Sequence, residues 1–314
     1  MNVSKLGTIL GVWAHPDDEA YLSGGLMAMA VNAGARVVCV TATRGELGTS
    51  EPAAWPPERL GALREAELRC SLGILGVTEH HWLGYADGGC QDAEPDEAIA
   101  RLSELVDRIR PDTVVTFGPD GHTGHPDHRA VSAWVDTALY RGDLRGARLL
   151  HAAVTHEWAQ TWSSFHRELS VFEDGLPATV DDDRLFVDLP LDDATLARKV
   201  RALAAQASQT TALISHLGPR PLRPVGRAGV LRVGRTRPQA AAMNRRHAPD
   251  VLAGVRARLP WLAAVARSAS SSASARGMRA SRPPPAGSRL RRSTAAAPRS
   301  PRSRCSTPAP PPYQ

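Results

Sequence analysis

The sequence predicts an α/β fold built on a mainly parallel sheet, and three observations carry that prediction. Two short apolar runs, Thr8-Ile9-Leu10-Gly11-Val12-Trp13 and Thr113-Val114-Val115-Thr116-Phe117, each lead into a turn dense in His and Asp. Ligands of open α/β sheets bind beyond the carboxyl ends of the strands, so two such strands would carry both turns to one sheet edge. Between them, a Leu-, Met- and Ala-rich stretch from Leu22 to Asn32 precedes the β-prone run Arg36-Val37-Val38-Cys39-Val40-Thr41-Ala42, which reads as a βαβ unit with a strand buried on both faces.

The remaining elements follow in chain order. Ser23 is available to cap the helix that Gly34 closes. The loop from Thr43 to Pro57, punctuated by Gly and Pro, leaves the same edge as the first turn, where long loops shape access. A helix over Glu58 to Leu75 is marked by Leu60, Leu63, Leu68, Leu72 and Leu75 and ends at Gly76; Arg64 and Glu67 share one of its faces. His80-His81-Trp82-Leu83-Gly84-Tyr85 reads as a strand whose adjacent histidines point to opposite faces, so they are not a ligand pair. Asp87-Gly88-Gly89 forms a turn, and Glu97 to Arg110 a helix that Pro111 stops. Arg129 to Tyr140 is helical, Leu149 to Thr155 a strand, Leu185 to Leu189 the last strand, and Asp192 to about Leu213 a helix ending in Gln206-Ala207-Ser208-Gln209. Residues 156–183 carry no clear pattern.

Composition divides the chain at Gly218. From Pro219 onward there are 20 Arg, no Lys and one acid, Asp250, for a net +19, whereas the part before it carries −13. The expected organisation is a folded domain over 1–218 and an irregular basic tail, rich in Arg, Pro, Ala and Ser, over 219–314. Such a tail fits an arm that attracts nucleic acid, or a stretch translated in an unintended frame of a GC-rich gene; the abrupt loss of Glu and Lys favours the second. Cys39, Cys70, Cys90 and Cys305 are scattered, which argues against a thiolate metal site and a disulfide framework and fits a reducing compartment. No signal peptide and no membrane span are expected, so the chain reads as cytoplasmic.

The chemistry lies in the two turns, Ala14-His15-Pro16-Asp17-Asp18-Glu19 and Gly121-His122-Thr123-Gly124-His125-Pro126-Asp127-His128. Carboxylates and imidazoles crowded at a sheet edge repel and desolvate one another unless a cation sits among them. His15, Asp18 and His128 supply the three protein ligands of a catalytic zinc. Asp17 is then placed to accept a proton from the attacking water, His125 to stabilise the oxyanion or protonate the leaving amine, and Asp127 to orient a histidine. Two His and one carboxylate also ligate Fe2+ in oxygenases, but the adjacent spare carboxylate favours hydrolysis.

These two motifs, with the interval Thr41-Ala42-Thr43-Arg44-Gly45-Glu46, resemble the PIG-L/LmbE family of zinc-dependent N-deacetylases over about residues 5–215. The resemblance implies a Rossmann-like three-layer fold and removal of acetyl from an N-acetylglucosaminyl compound, a small amino-sugar conjugate. It assigns zinc to His15, Asp18 and His128, the base to Asp17 and the oxyanion or acid role to His125, and it makes Arg64 and Asp87 sugar contacts. An amidase of a sugar-thiol conjugate on the same scaffold and a weakly catalytic metal-binding protein with a nucleic-acid-binding tail are the alternatives. A homo-oligomer is compatible with all of them.

Overall fold

The computed structural model describes residues 3–168, 171–172, 178–217 and 228–233. The sheet has the order β3-β2-β1-β4-β5-β8-β7, with β6 paired to β5 off this path. Its strands are β1 (Ile9–Trp13), β2 (Val37–Thr41), β3 (Glu79–Trp82), β4 (Thr113–Thr116), β5 (Arg148–Thr155), β6 (Thr179–Val180), β7 (Val187–Leu189) and β8 (Ala228–Val233). The first five are parallel, in register Ile9↔Val37 and Ile9↔Thr113 about the central β1. β1, β2 and β4 are buried at every position, which is why their sequences are unbroken apolar or Thr runs and show no alternation.

Helices cover the two faces of this sheet. On one side α1 (Gly24–Asn32), α2 (Pro57–Leu75) and α6 (Asp193–Ala204) pack together; α3 (Pro95–Ile109) packs with α4 (Pro126–Arg141). Further along the chain lie α5 (His156–Glu168), against β5 and β6, and α7 (Ala207–Leu217). The starts of α2, α3 and α4 each carry Pro in the first turn, where its missing N–H costs nothing. α2 ends on Gly76 in the left-handed region (φ 80°), as its sequence predicts, whereas α3 ends on a left-handed Arg110 (φ 54°), just before Pro111.

Three expectations are corrected. Ser23 does not cap α1: its hydroxyl donates to Glu19 O (2.9 Å), because Glu19–Ser23 forms a π-helical turn ahead of the helix. The helix expected over Asp192 to Leu213 is two helices, broken at Ala205-Gln206. The sheet also does not stop at the expected boundary of 218. β8 lies ten residues beyond it and runs antiparallel between β5 and β7, with Leu149↔Val233 and Val187↔Val230. The rest of the Arg-rich segment lies outside the described residues. Among the described residues, no helix is long and apolar enough to cross a membrane.

α6 is tied to the π-helical turn by Lys199, which is 1% exposed and donates Nζ to Tyr21 O at 2.8 Å. Burial pushes its pKa down to about 7 from 10.5. Between those values the unfolded chain holds a proton that the folded chain has released, so the stability tied to this group rises from pH 7 towards 10.5 and is lost as the pH falls back. Urea denaturation of the protein and of Lys199→Met should therefore diverge by a few kcal/mol in favour of the native Lys199 between pH 7 and 9.5; parallel stabilities would contradict the shift.

Candidate metal and catalytic site

The strand order reverses between β1 and β4, and the turns after these two strands part there to leave a crevice at the carboxyl edge. After β1, His15 N donates to Asp18 Oδ2 (2.8 Å), folding the chain back on itself. Asp17 is held at φ 108°, a conformation that costs an L residue strain unless its surroundings impose it. They do so through Arg64 on α2, whose guanidinium donates to Pro16 O and Gly45 O, each at 2.6 Å, and reaches Asp17 Oδ2 at 3.5 Å. A side chain on Gly45 (φ 63°) would collide with that guanidinium, so the glycine lets the two approach.

After β4, the turn through Gly121 (φ 70°), His122 (φ 63°) and Gly124 (φ 88°) delivers His125 to the N-cap of α4. Its Nδ1 accepts from Asp127 N at 3.2 Å. His128 lies one turn on, stacked on Phe117 with ring centroids 4.2 Å apart. Its Nδ1 faces Gly121 O at 3.0 Å.

These contacts determine the tautomers. A carbonyl only accepts, so His128 Nδ1 carries hydrogen and Nε2 is bare. His15 Nε2 faces two carboxylates, Asp87 Oδ1 and Asp127 Oδ2, both at 3.1 Å, so in the neutral ring Nδ1 is bare. The two bare nitrogens stand 3.1 Å apart, with Asp18 Oδ1 3.4 Å from His128 Nε2 and Asp18 Oδ2 3.9 Å from His15 Nδ1. Opposed lone pairs repel unless a proton or a cation lies between them. Donor atoms about 2.1 Å from a tetrahedral ion stand roughly 3.4 Å from one another, so this set fits a divalent metal. His125 also lies within range, because its donor atom and those of His15 and His128 fall within 4.8 Å of one another.

The titratable groups are tuned by burial against charge. Burial disfavours the charged form of His15, yet the hydrogen bonds it donates to Asp127 and Asp87, with the charge of Asp18, raise its pKa to about 10. Burial, with His15 and His125 beside it, holds His128 well below its ordinary value. Asp17 is pushed by burial up to about 7 against the pull of Arg64, and burial lowers His125. Asp87 goes the other way, to about 2, because burial is outweighed by the sum of its hydrogen bond to His15, the charges of His15 and Arg64 and the Leu47 amide. Asp127 is fully buried and accepts from Gly88 N (2.8 Å) and Cys90 N (3.0 Å), which locks it against His15.

All eight residues singled out in the sequence thus meet at one edge: His15, Asp17, Asp18, Arg64, Asp87, His125, Asp127 and His128. Two carry bonds that were not foreseen. Asp87 accepts from Leu47 N (2.8 Å) as well as facing His15, and Arg64 is 4% exposed with its guanidinium on backbone carbonyls. The sequence reading missed Glu19, which is fully buried and whose Oε2 accepts from Asp17 N at 3.0 Å; burial pushes it up to about 8. The signal was its place at the end of the first motif. Glu46, which accepts from Asp87 N at 3.0 Å, was missed as well.

Comparison with known proteins gives concordant results. Residues 10–139 match the family model described as PIG-L, GlcNAc-PI de-N-acetylase. A 1D-myo-inositol 2-acetamido-2-deoxy-alpha-D-glucopyranoside deacetylase of Kineococcus radiotolerans is 34% identical over 248 residues, 65% of this chain and 69% of the relative. The protein of that name from a Mycobacterium species is 34% identical over 237 residues, 64% and 73%. Among solved structures, the N,N'-diacetylchitobiose deacetylase of Pyrococcus horikoshii is similar in fold, with TM-score 0.51 and 20% identity over 74% of this chain and 86% of that one.

If Asp127 fixes the His15 tautomer, Asp127→Asn should weaken zinc binding about 10- to 100-fold in a chelator-competition titration. Unchanged affinity would mean that the Nε2 contact does not set the ligand nitrogen.

Proposed function

This chain belongs to the PIG-L family of de-N-acetylases, metal-dependent amide hydrolases, and from that premise we propose that it removes the acetyl group from a small N-acetylglucosaminyl conjugate, such as a GlcNAc-inositol, in the cytoplasm. The observation that carries the reading is the approach of His15 Nδ1 to His128 Nε2 at 3.1 Å, a contact that needs a cation or a proton between them, with the Asp18 carboxylate against them and Asp17 beside Arg64.

His15, Asp18 and His128 would hold zinc, or another divalent ion such as Fe2+. The ion, when bound, polarises the amide carbonyl and makes water acidic enough to attack at neutral pH. Asp17 takes the proton that the attacking water loses. With a pKa near 7 it is ionised often enough to accept that proton and acidic enough to give it up. The carbonyl–nitrogen bond then breaks, Asp17 returns the proton to the leaving amine, and acetate and the free amino sugar depart.

His125 has a role that does not need a positive charge. Its Nδ1 is occupied as the acceptor of the Asp127 N–H, so Nε2 carries the hydrogen in the neutral ring and can donate to the developing oxyanion. Asp127 keeps His15 oriented. Arg64 and Asp87 are the candidates for contacts to sugar hydroxyls, each already anchored to the loops that would frame the sugar.

Acetate release from GlcNAc-inositol by the zinc-loaded protein tests the reading. Asp17→Asn should lower kcat by about 10²- to 10⁴-fold while zinc affinity is retained. No release, or a rate unaffected by Asp17→Asn, would overturn it.

A further inference from the structure

At the break between α6 and α7, Gln206 and the first turn of α7 contact elements that surround the site. Gln206, 1% exposed, donates Nε2 to Glu19 Oε1 (2.6 Å) and to Ser71 Oγ (3.0 Å). Ser208 donates N and Oγ to Glu67 (2.9 and 2.5 Å), three residues from Arg64. Gln209 donates to Gly48 O (3.2 Å) in the loop that also supplies Gly45 O to Arg64.

Of these contacts, the one to Glu19 reaches furthest. Oε1 of its buried carboxylate accepts from Ser71 and Gln206, which leaves Oε2 aimed at Asp17 N (3.0 Å). Asp17 O in turn accepts from Ala20 N and Tyr21 N, both at 3.0 Å, and the preceding carbonyl is held by Arg64. The strained φ of 108° is therefore braced from both sides, and Glu19 is the brace on the amide side. Ser71 and Gln206 lie 52 and 187 residues from Glu19 in the chain, so α2 and the α6–α7 junction both converge on it.

We propose that Glu19 and Gln206 are positioning residues for Asp17: Gln206 grips the buried Glu19 carboxylate, which fixes the Asp17 backbone and so aims the Asp17 carboxylate. This rests on the reading of Asp17 as the base. Neither residue touches substrate. The α6–α7 junction thereby supports the site through this contact.

The test compares full-length, zinc-loaded Gln206→Leu, Glu19→Ala and Glu19→Gln. Glu19→Gln keeps an oxygen for the Asp17 N–H, and the Gln206 amide can turn to meet it. Gln206→Leu and Glu19→Ala should lower kcat about 10- to 100-fold, with KM and zinc affinity held within about twofold. The Asp17 amide should exchange faster with solvent in both, and Glu19→Gln should recover most of the rate and the protection. Wild-type kcat and Asp17 protection in Gln206→Leu would overturn the proposal, as would kcat, KM, zinc affinity and melting temperature all falling together without recovery in Glu19→Gln. Amide exchange reports on the brace whatever the rate, so its failure is distinguishable from failure of Asp17 as base, which Asp17→Asn tests alone.

Discussion

His15 Nδ1 and His128 Nε2 face each other at 3.1 Å, where their lone pairs would repel without a proton or a cation between them, and much of the molecule is arranged around that contact. Neither ring can turn away. His128 is held by the Gly121 carbonyl and the Phe117 face, and His15 by two carboxylates that are themselves fastened to backbone amides at Leu47, Gly88 and Cys90. A positive charge between the nitrogens turns this repulsion into coordination. In the proposed site the buried Asp18 supplies the anionic partner, while Asp17, one residue away and beside the Arg64 guanidinium, is left to handle a proton.

The topology explains why such distant residues can meet. β1 sends the chain outward to β2 and β3, and β4 resumes on its other side, so the turns at 14–18 and 118–125 diverge from neighbouring strand ends. The loop after β2 and the turn after β3 leave the same edge, which brings Gly45, Leu47 and Asp87 alongside. α6 and the α6–α7 junction add support through Lys199 and Gln206.

What was legible in the sequence follows from this arrangement. The parallel strands read as apolar runs because both faces are covered, and the residues proposed for metal binding and catalysis read as motifs because each cluster occupies one turn. Contacts to backbone atoms were invisible: Arg64 is expected from the family resemblance as a sugar contact, yet its guanidinium serves Pro16 O and Gly45 O. The His125 tautomer depends on a cap bond and was equally hidden. β8 was masked by the Arg-rich composition around it, and the break before α7 carries no Gly or Pro to announce it; both are set by partners far away in the chain.

The central claim is that His15 Nδ1, His128 Nε2 and an Asp18 oxygen form one preorganised set. X-ray absorption at the zinc edge of the loaded protein tests it most directly. The account predicts two imidazoles and at least one carboxylate oxygen at about 2.0–2.2 Å, with one imidazole lost in His128→Ala. Three imidazoles, which would draw His125 into the set in place of Asp18, or a spectrum unchanged in His128→Ala, would contradict it.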